Sequence, residues 1–347
     1  MADEATARSG GTASTATPIP TVAAGSAPVL PAATARAGRR GTRPGLRKGL
    51  EVAFFVTPAL VVFLGFVVWP VVKAIQYSLY NWKGYGPMVD FVGLRNFTYV
   101  LGSEVFQAAL LHNLIIIVAS IVLQLPLGLG IALLLNRKIR GRNLLRTIVF
   151  VPYVLAEVVV GVIWRQMLQA DYGLLDTILS SVGIPTPQQG MLGDTDYALA
   201  AVMVVLTWKY LGLAIVLFLA GLAGVPDELY EAAQIDGASW WQIQRRITIP
   251  LLGPTVRMWA FLSMIGSIQV FDMVWILTKG GPAGSTNTMA TFLYAWGVDR
   301  NLIGVASAAS VILFVIALIF ALTYQRFILR GDLRGSDLAA VGKGRKR

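Results

Sequence analysis

The 347-residue chain is 56% hydrophobic and only 14% charged, with a mean hydropathy of +0.66, a balance that excludes an ordinary soluble domain and points to the bilayer. Its formal charge of +11 would suit nucleic acid, but the basic residues gather at the chain ends and in one short loop, so the charge reads as membrane topology with no nucleic-acid partner. Cysteine is absent and histidine occurs once, which removes disulfides, thiol nucleophiles and multi-histidine metal sites and leaves no cofactor or metal to expect.

Residues 1–48 are rich in Ala, Thr, Pro, Gly and Ser and poor in large apolar residues, as expected of a disordered basic cytoplasmic tail that is not a cleaved leader. The body, 49–330, holds apolar runs at about 52–79, 108–135, 145–168, 197–222, 256–277 and 303–324, each near or above the ~20 residues that cross a bilayer core. The fold class expected is therefore an all-α polytopic membrane protein with six transmembrane helices. Pro58 and Pro70 predict bends in the first run, and Trp69, Tyr77, Tyr80 and Trp82 an aromatic belt at its outer end. The loop after the second run carries Arg137, Lys138, Arg140, Arg142 and Arg146 without a carboxylate. The loop after the third carries Asp171, Asp176, Asp194 and Asp196 without Lys or Arg, so the first faces the cytoplasm and the second the outside. With six spans and a basic tail at 331–347, both termini are expected in the cytoplasm.

Between the fourth and fifth runs lies a polar stretch, residues 225–254, which this orientation puts inside. Pro226 suits a first helical position, and Asp227, Glu228 and Glu231 place negative charge at the positive helix end. Gly237 ends that helix; Ser239 and Gln242 have the spacing of a reciprocal cap that starts another; Arg245 and Arg246 suit its last turn, and Pro250 is expected to stop it. A helix-turn-helix results.

The residues of this stretch, Glu231-Ala232-Ala233, then Asp236-Gly237-Ala238-Ser239, then Ile249-Pro250 in an I-x-x-P-L-L-x-P ending, resemble the EAA loop of permease subunits of bacterial binding-protein-dependent ABC importers, in the carbohydrate-uptake branch that includes the maltose-type permeases. Ile249 stands where leucine is commoner. Tyr77 to Trp82, Phe91 to Phe97, and Phe271-Asp272 leading to Gly280-Gly281-Pro282 are similar to the segments after the first and fifth spans of the same branch. The resemblance implies a bacterial plasma-membrane subunit whose loop is the coupling helix for a cytoplasmic ATPase. Its implied partners are a second, distinct permease in a heterodimer, two ATPase subunits and an extracytoplasmic sugar-binding protein that docks on the outer loops.

Ionisable groups inside spans are costly, so Glu157, Arg165, Lys209 and Asp272 need partners or water. Arg165 and Asp272 fall near the outer ends of their runs; Lys209, mid-span, calls for a carboxylate or a wet cavity. Glu157, Lys209 and Asp272, with Tyr153, Trp208, Tyr210 and Trp275 nearby, form a candidate substrate path, since aromatic faces pack on sugar C–H groups and charged groups pair with hydroxyls. The chain has no G-x-x-x-x-G-K-[ST] loop, so it is not expected to be an enzyme and ATP hydrolysis would come from a partner. The expected function is half of an ATP-driven path for a di- or oligosaccharide; the alternatives are an ion-coupled secondary transporter, a permease for a solute such as a glycerol phosphodiester, or a non-transporting scaffold.

Overall fold

The computed structural model describes residues 46–137 and 139–329; the predicted tails at 1–48 and 331–347 lie outside this range except for residues 46–48, as does Lys138. Backbone proximity divides the chain into residues 1–58 and 59–347. The described part of the first unit is helical. The second is helical as well, with one isolated antiparallel bridge, Tyr80 to Phe91, among the described residues.

In chain order the helices are α1 (Glu51–Ser78), α2 (Arg95–Gly102), α3 (Glu104–Leu135), α4 (Arg142–Val154), α5 (Glu157–Met167), α6 (Leu174–Ser181), α7 (Ala198–Leu222), α8 (Asp227–Ile235), α9 (Trp240–Leu251), α10 (Gly253–Ile268), α11 (Asp272–Thr278), α12 (Met289–Tyr294) and α13 (Ile303–Ile328). Helices α1, α3, α7 and α13 are each long and apolar enough to cross a membrane. Two bent pairs, α4 with α5 at 96° and α9 with α10 at 63°, bring the number to six when each counts as one span.

Three helices widen to a π-turn just before a proline: 64–68 before Pro70, 120–124 before Pro126, and 244–248 before Pro250. Proline has no N–H to donate, and its ring crowds the carbonyl four residues back; widening that turn moves the carbonyl aside and lets the helix go on. Pro250 was expected to end its helix, and this turn is why α9 instead continues to Leu251. Pro226 is the N-cap, one residue before the first helical position.

The third and fifth apolar runs are not single rods. The third breaks at Leu155 and Ala156, both with extended backbone. The fifth stops at Ile268 and restarts at Asp272, so Asp272 opens a separate helix instead of sitting near the outer end of a continuous one. Helix α7 is the most enclosed of the four long spans, packed against α4 and the second half of α3. Gly212 permits this approach, for a Cβ there would lie 2.6 Å from the Val149 carbonyl oxygen of α4. Small residues play the same part in α13, where Gly304, Ala306, Ala308 and Ala309 are buried. Outside, Phe66, Leu111, Val162 and Ile319 remain exposed, the surface a lipid would cover.

Candidate functional site

A break in a buried helix leaves carbonyls at one end and N–H groups at the other without partners. At the α4–α5 break, Lys209 of α7 meets this need. Its ammonium donates to the carbonyls of Pro152 and Tyr153, both at 3.3 Å, and to that of Leu155. It also lies 3.5 Å from Oε1 of Glu157, in the first turn of α5. The cation thus sits at a negative helix end and the carboxylate at a positive one, so both dipoles favour the pair. Tyr210 adds a hydroxyl donated to the same Oε1 at 3.0 Å, while Oε2 of Glu157 is buried without a donor.

The second break has a neutral closure. Asn113 of α3, 2% exposed, donates its amide to the Ser267 carbonyl at 2.7 Å and accepts from the backbone N–H of Met289 at 2.9 Å. Thr288 caps α12 and donates its hydroxyl to the Val270 carbonyl at 2.9 Å.

Beside the two breaks is a cavity of about 290 Å3, whose wall includes Ser120, Gln124, Glu157, Tyr210, Trp259 and Asp272. Of the seven path candidates it gathers Glu157, Tyr210 and Asp272. Lys209 is 2% exposed and stands behind the wall. Tyr153 packs its ring near those of Phe150 and Tyr210, Trp208 packs edge-on against Trp164 at 5.5 Å, and Trp275 lies against Phe271 and Tyr294; these three are not among the residues that line this cavity. Sequence reading missed Ser120, Gln124, Ser263 and Gln269 in the wall, because small polar residues in an apolar run carry no signal of which way they face. A larger hollow of about 870 Å3 lies between the end of α5 and the loop after α11, with Arg165, Asp171, Lys279 and Pro282 in its wall.

The polar helix pair is set apart from these breaks. Gly237 closes α8 with a left-handed φ of 74°; its N–H reaches the Gln234 carbonyl and that of Ala238 reaches Ala233, so the last carbonyls of the helix are satisfied. Ser239 and Gln242 form the reciprocal cap of α9, at 2.7 and 3.4 Å. Glu231, Ala232, Asp236, Ile249 and Pro250 are exposed, Ala233 is buried, and Ile235 and Trp241 project at 87% and 72% exposure. Thr248 donates to the Tyr230 hydroxyl at 3.4 Å and ties the two helices together.

Breaks held by buried polar groups, a polar cavity beside them and a capped helix pair with exposed apolar tips are the features of a membrane transport permease. The chain belongs to the family of binding-protein-dependent transport system inner membrane components, whose family model matches residues 124–331. It is 35% identical to the trehalose/maltose transport system permease MalF of Thermococcus litoralis, over 78% of this chain and 91% of that one. It is also 35% identical to the diacetylchitobiose uptake system permease NgcF of Streptomyces coelicolor, over 81% and 84%. Its fold matches a chain of a bacterial ABC transporter involved in the import of the acidic polysaccharide alginate, with a TM-score of 0.72 at 24% identity, over 82% of this chain and 98% of that chain.

Proposed function

We propose that the chain forms half of the path by which an ATP-driven importer carries a di- or oligosaccharide across the plasma membrane, with solute passing the cavity at the two helix breaks. The observation that carries this reading is that cavity: carboxylate, amide, hydroxyl and indole groups line a space of about 290 Å3 among apolar spans. Ionisable groups inside spans are costly and rare, so their presence on a cavity wall supports a polar cargo. The named cargoes of the two permease relatives favour a saccharide. The other half comes from a second permease, ATP hydrolysis from two cytoplasmic ATPase subunits, and solute from an extracytoplasmic binding protein that docks near the hollow beside Arg165 and Lys279. The α8–α9 pair is the coupling element: Glu231 and the projecting Ile235 and Trp241 enter a groove of the ATPase, whose closure turns the cavity outward.

The test is uptake of labelled maltose, trehalose and diacetylchitobiose by proteoliposomes holding the whole complex and its binding protein. Uptake should require internal or external ATP at the ATPase face and be indifferent to proton and sodium gradients. Uptake driven by either gradient without ATP would establish the ion-coupled alternative, and no uptake of any of the three would overturn the disaccharide reading.

A further inference from the structure

The wall of the 290 Å3 cavity is chemically one-sided. Glu157 and Asp272 line it, and no Lys or Arg stands among its lining residues in the described part of the chain. Lys209, which neutralises Glu157, is behind the wall and engaged by three carbonyls of the α4 end. Asp272, exposed in the first turn of α11, has no Lys or Arg within ion-pairing distance among the described residues, so only the positive helix end stands against its charge.

Two polar atoms of wall residues also lack partners among the described residues. Oε2 of Glu157 is a buried acceptor without a donor, and Nε1 of Trp259, on a side chain 2% exposed, is a buried donor without an acceptor. A solute hydroxyl or ammonium can donate to a carboxylate oxygen of the wall. A solute carboxylate or phosphate would bring further acceptors to a wall that is already negative, where low dielectric leaves like charges little screened. The fold does not decide this sign, since the importer of like fold serves an acidic polysaccharide.

We propose that this cavity is a charge filter in the translocation path, admitting neutral hydroxyl-rich or amino-bearing saccharides and rejecting carboxylate- or phosphate-bearing solutes, with Asp272 and Glu157 setting the preference. It rests on the reading of the cavity as part of the path. A glycerol phosphodiester is thereby excluded as cargo.

The absence of native cysteine gives a direct measurement. Gly266 lines the cavity, and a Cβ added there meets no atom within 4 Å, so a single thiol fits at Gly266→Cys. The full complex in proteoliposomes is treated with trimethylammonium-ethyl or sulfonato-ethyl methanethiosulfonate, and each rate is divided by that of free mercaptoethanol with the same reagent. The cationic reagent should be favoured at least about tenfold, which corresponds to ~1.4 kcal/mol. Adding Asp272→Asn, which replaces the carboxylate with a neutral amide of the same shape and breaks no side-chain hydrogen bond among the described residues, should bring the ratio within about threefold of one. A ratio near one in the single variant, or one unmoved by Asp272→Asn, would overturn the filter. Uptake of the three labelled sugars, compared before and after modification, tests the reading beneath it. Modification that leaves uptake intact would overturn the path and the filter together, whereas blocked uptake with an even ratio would overturn the filter alone.

Discussion

At the scale of the residue, Lys209 shows how a buried charge is made tolerable. Its ammonium closes the carbonyl end of α4 and faces Glu157 at 3.5 Å, so desolvation is offset by several charge-assisted contacts at once. The sequence called for a carboxylate or a wet cavity beside a mid-span lysine; it did not show that most of its contacts would be backbone carbonyls, because Pro152, the proline of the 145–168 run, lies inside α4 and does not mark the break at Leu155. Lys209→Met removes the cation, strands Glu157 beside a polar wall and leaves three carbonyls without a donor. The expected cost is about 3 kcal/mol in stability, with uptake abolished. Pairing it with Glu157→Gln removes the stranded charge and should return part of the lost melting temperature without restoring uptake. An unchanged melting temperature and unchanged uptake in the single variant would show the contacts to be incidental.

At the scale of the element, what was legible was what is local. The caps of the α8–α9 pair were readable from Gly237, Ser239 and Gln242 because each makes its bonds within five residues. The interruption of the fifth run was not, since the group that closes it, Asn113, donates to Ser267 from 154 positions away. Average hydropathy sees the apolar content of Leu145 to Leu168 and of Val256 to Leu277, but neither break is marked by glycine at its turning residues. The left-handed turn at Gly237 supports a prediction about coupling. Space is not limiting there, for an added Cβ meets nothing within 4 Å, so the penalty of Gly237→Val is conformational, about 1 kcal/mol or more. That misdirects α9 relative to α8 while leaving the long spans α1, α3, α7 and α13 untouched. With Glu231→Lys, which reverses charge on an exposed face, it should preserve membrane insertion and abolish sugar-stimulated ATP hydrolysis. Wild-type stimulation in purified complexes of both variants would remove this pair from the coupling role.

At the scale of the whole molecule, contacts between distant loops sort the chain ends of the spans into two faces. Arg137, after α3, lies over the ring of Trp240 at the start of α9, with 5.9 Å between guanidinium and ring centre. These loops follow the second and fourth spans, so they must share a face if each bent pair crosses once. On the opposite face, Gly304 at the start of α13 donates to the Trp82 carbonyl after α1 at 3.0 Å, and the His112 ring lies 2.9 Å from the Asn287 carbonyl oxygen. The first face also gathers Arg140, Arg142, Arg245 and Arg246, all exposed, while the loop carrying Asp171, Asp194 and Asp196 follows the third span. Lys and Arg in short loops stay on the cytoplasmic side. We therefore expect the Arg137–Trp240 face and both termini in the cytoplasm and the aspartate loop outside. Single cysteines at Asp196, Arg140 and Glu228, exposed positions in a chain with no thiol of its own, make this measurable in intact cells with a membrane-impermeant maleimide. Asp196→Cys should label in intact cells, and Arg140→Cys and Glu228→Cys only after permeabilisation. Labelling of the latter two alone in intact cells would invert the orientation and place the α8–α9 pair beyond the reach of a cytoplasmic ATPase; a split between Arg140→Cys and Glu228→Cys would mean that one bent pair does not cross the membrane, and the count of six spans would fall.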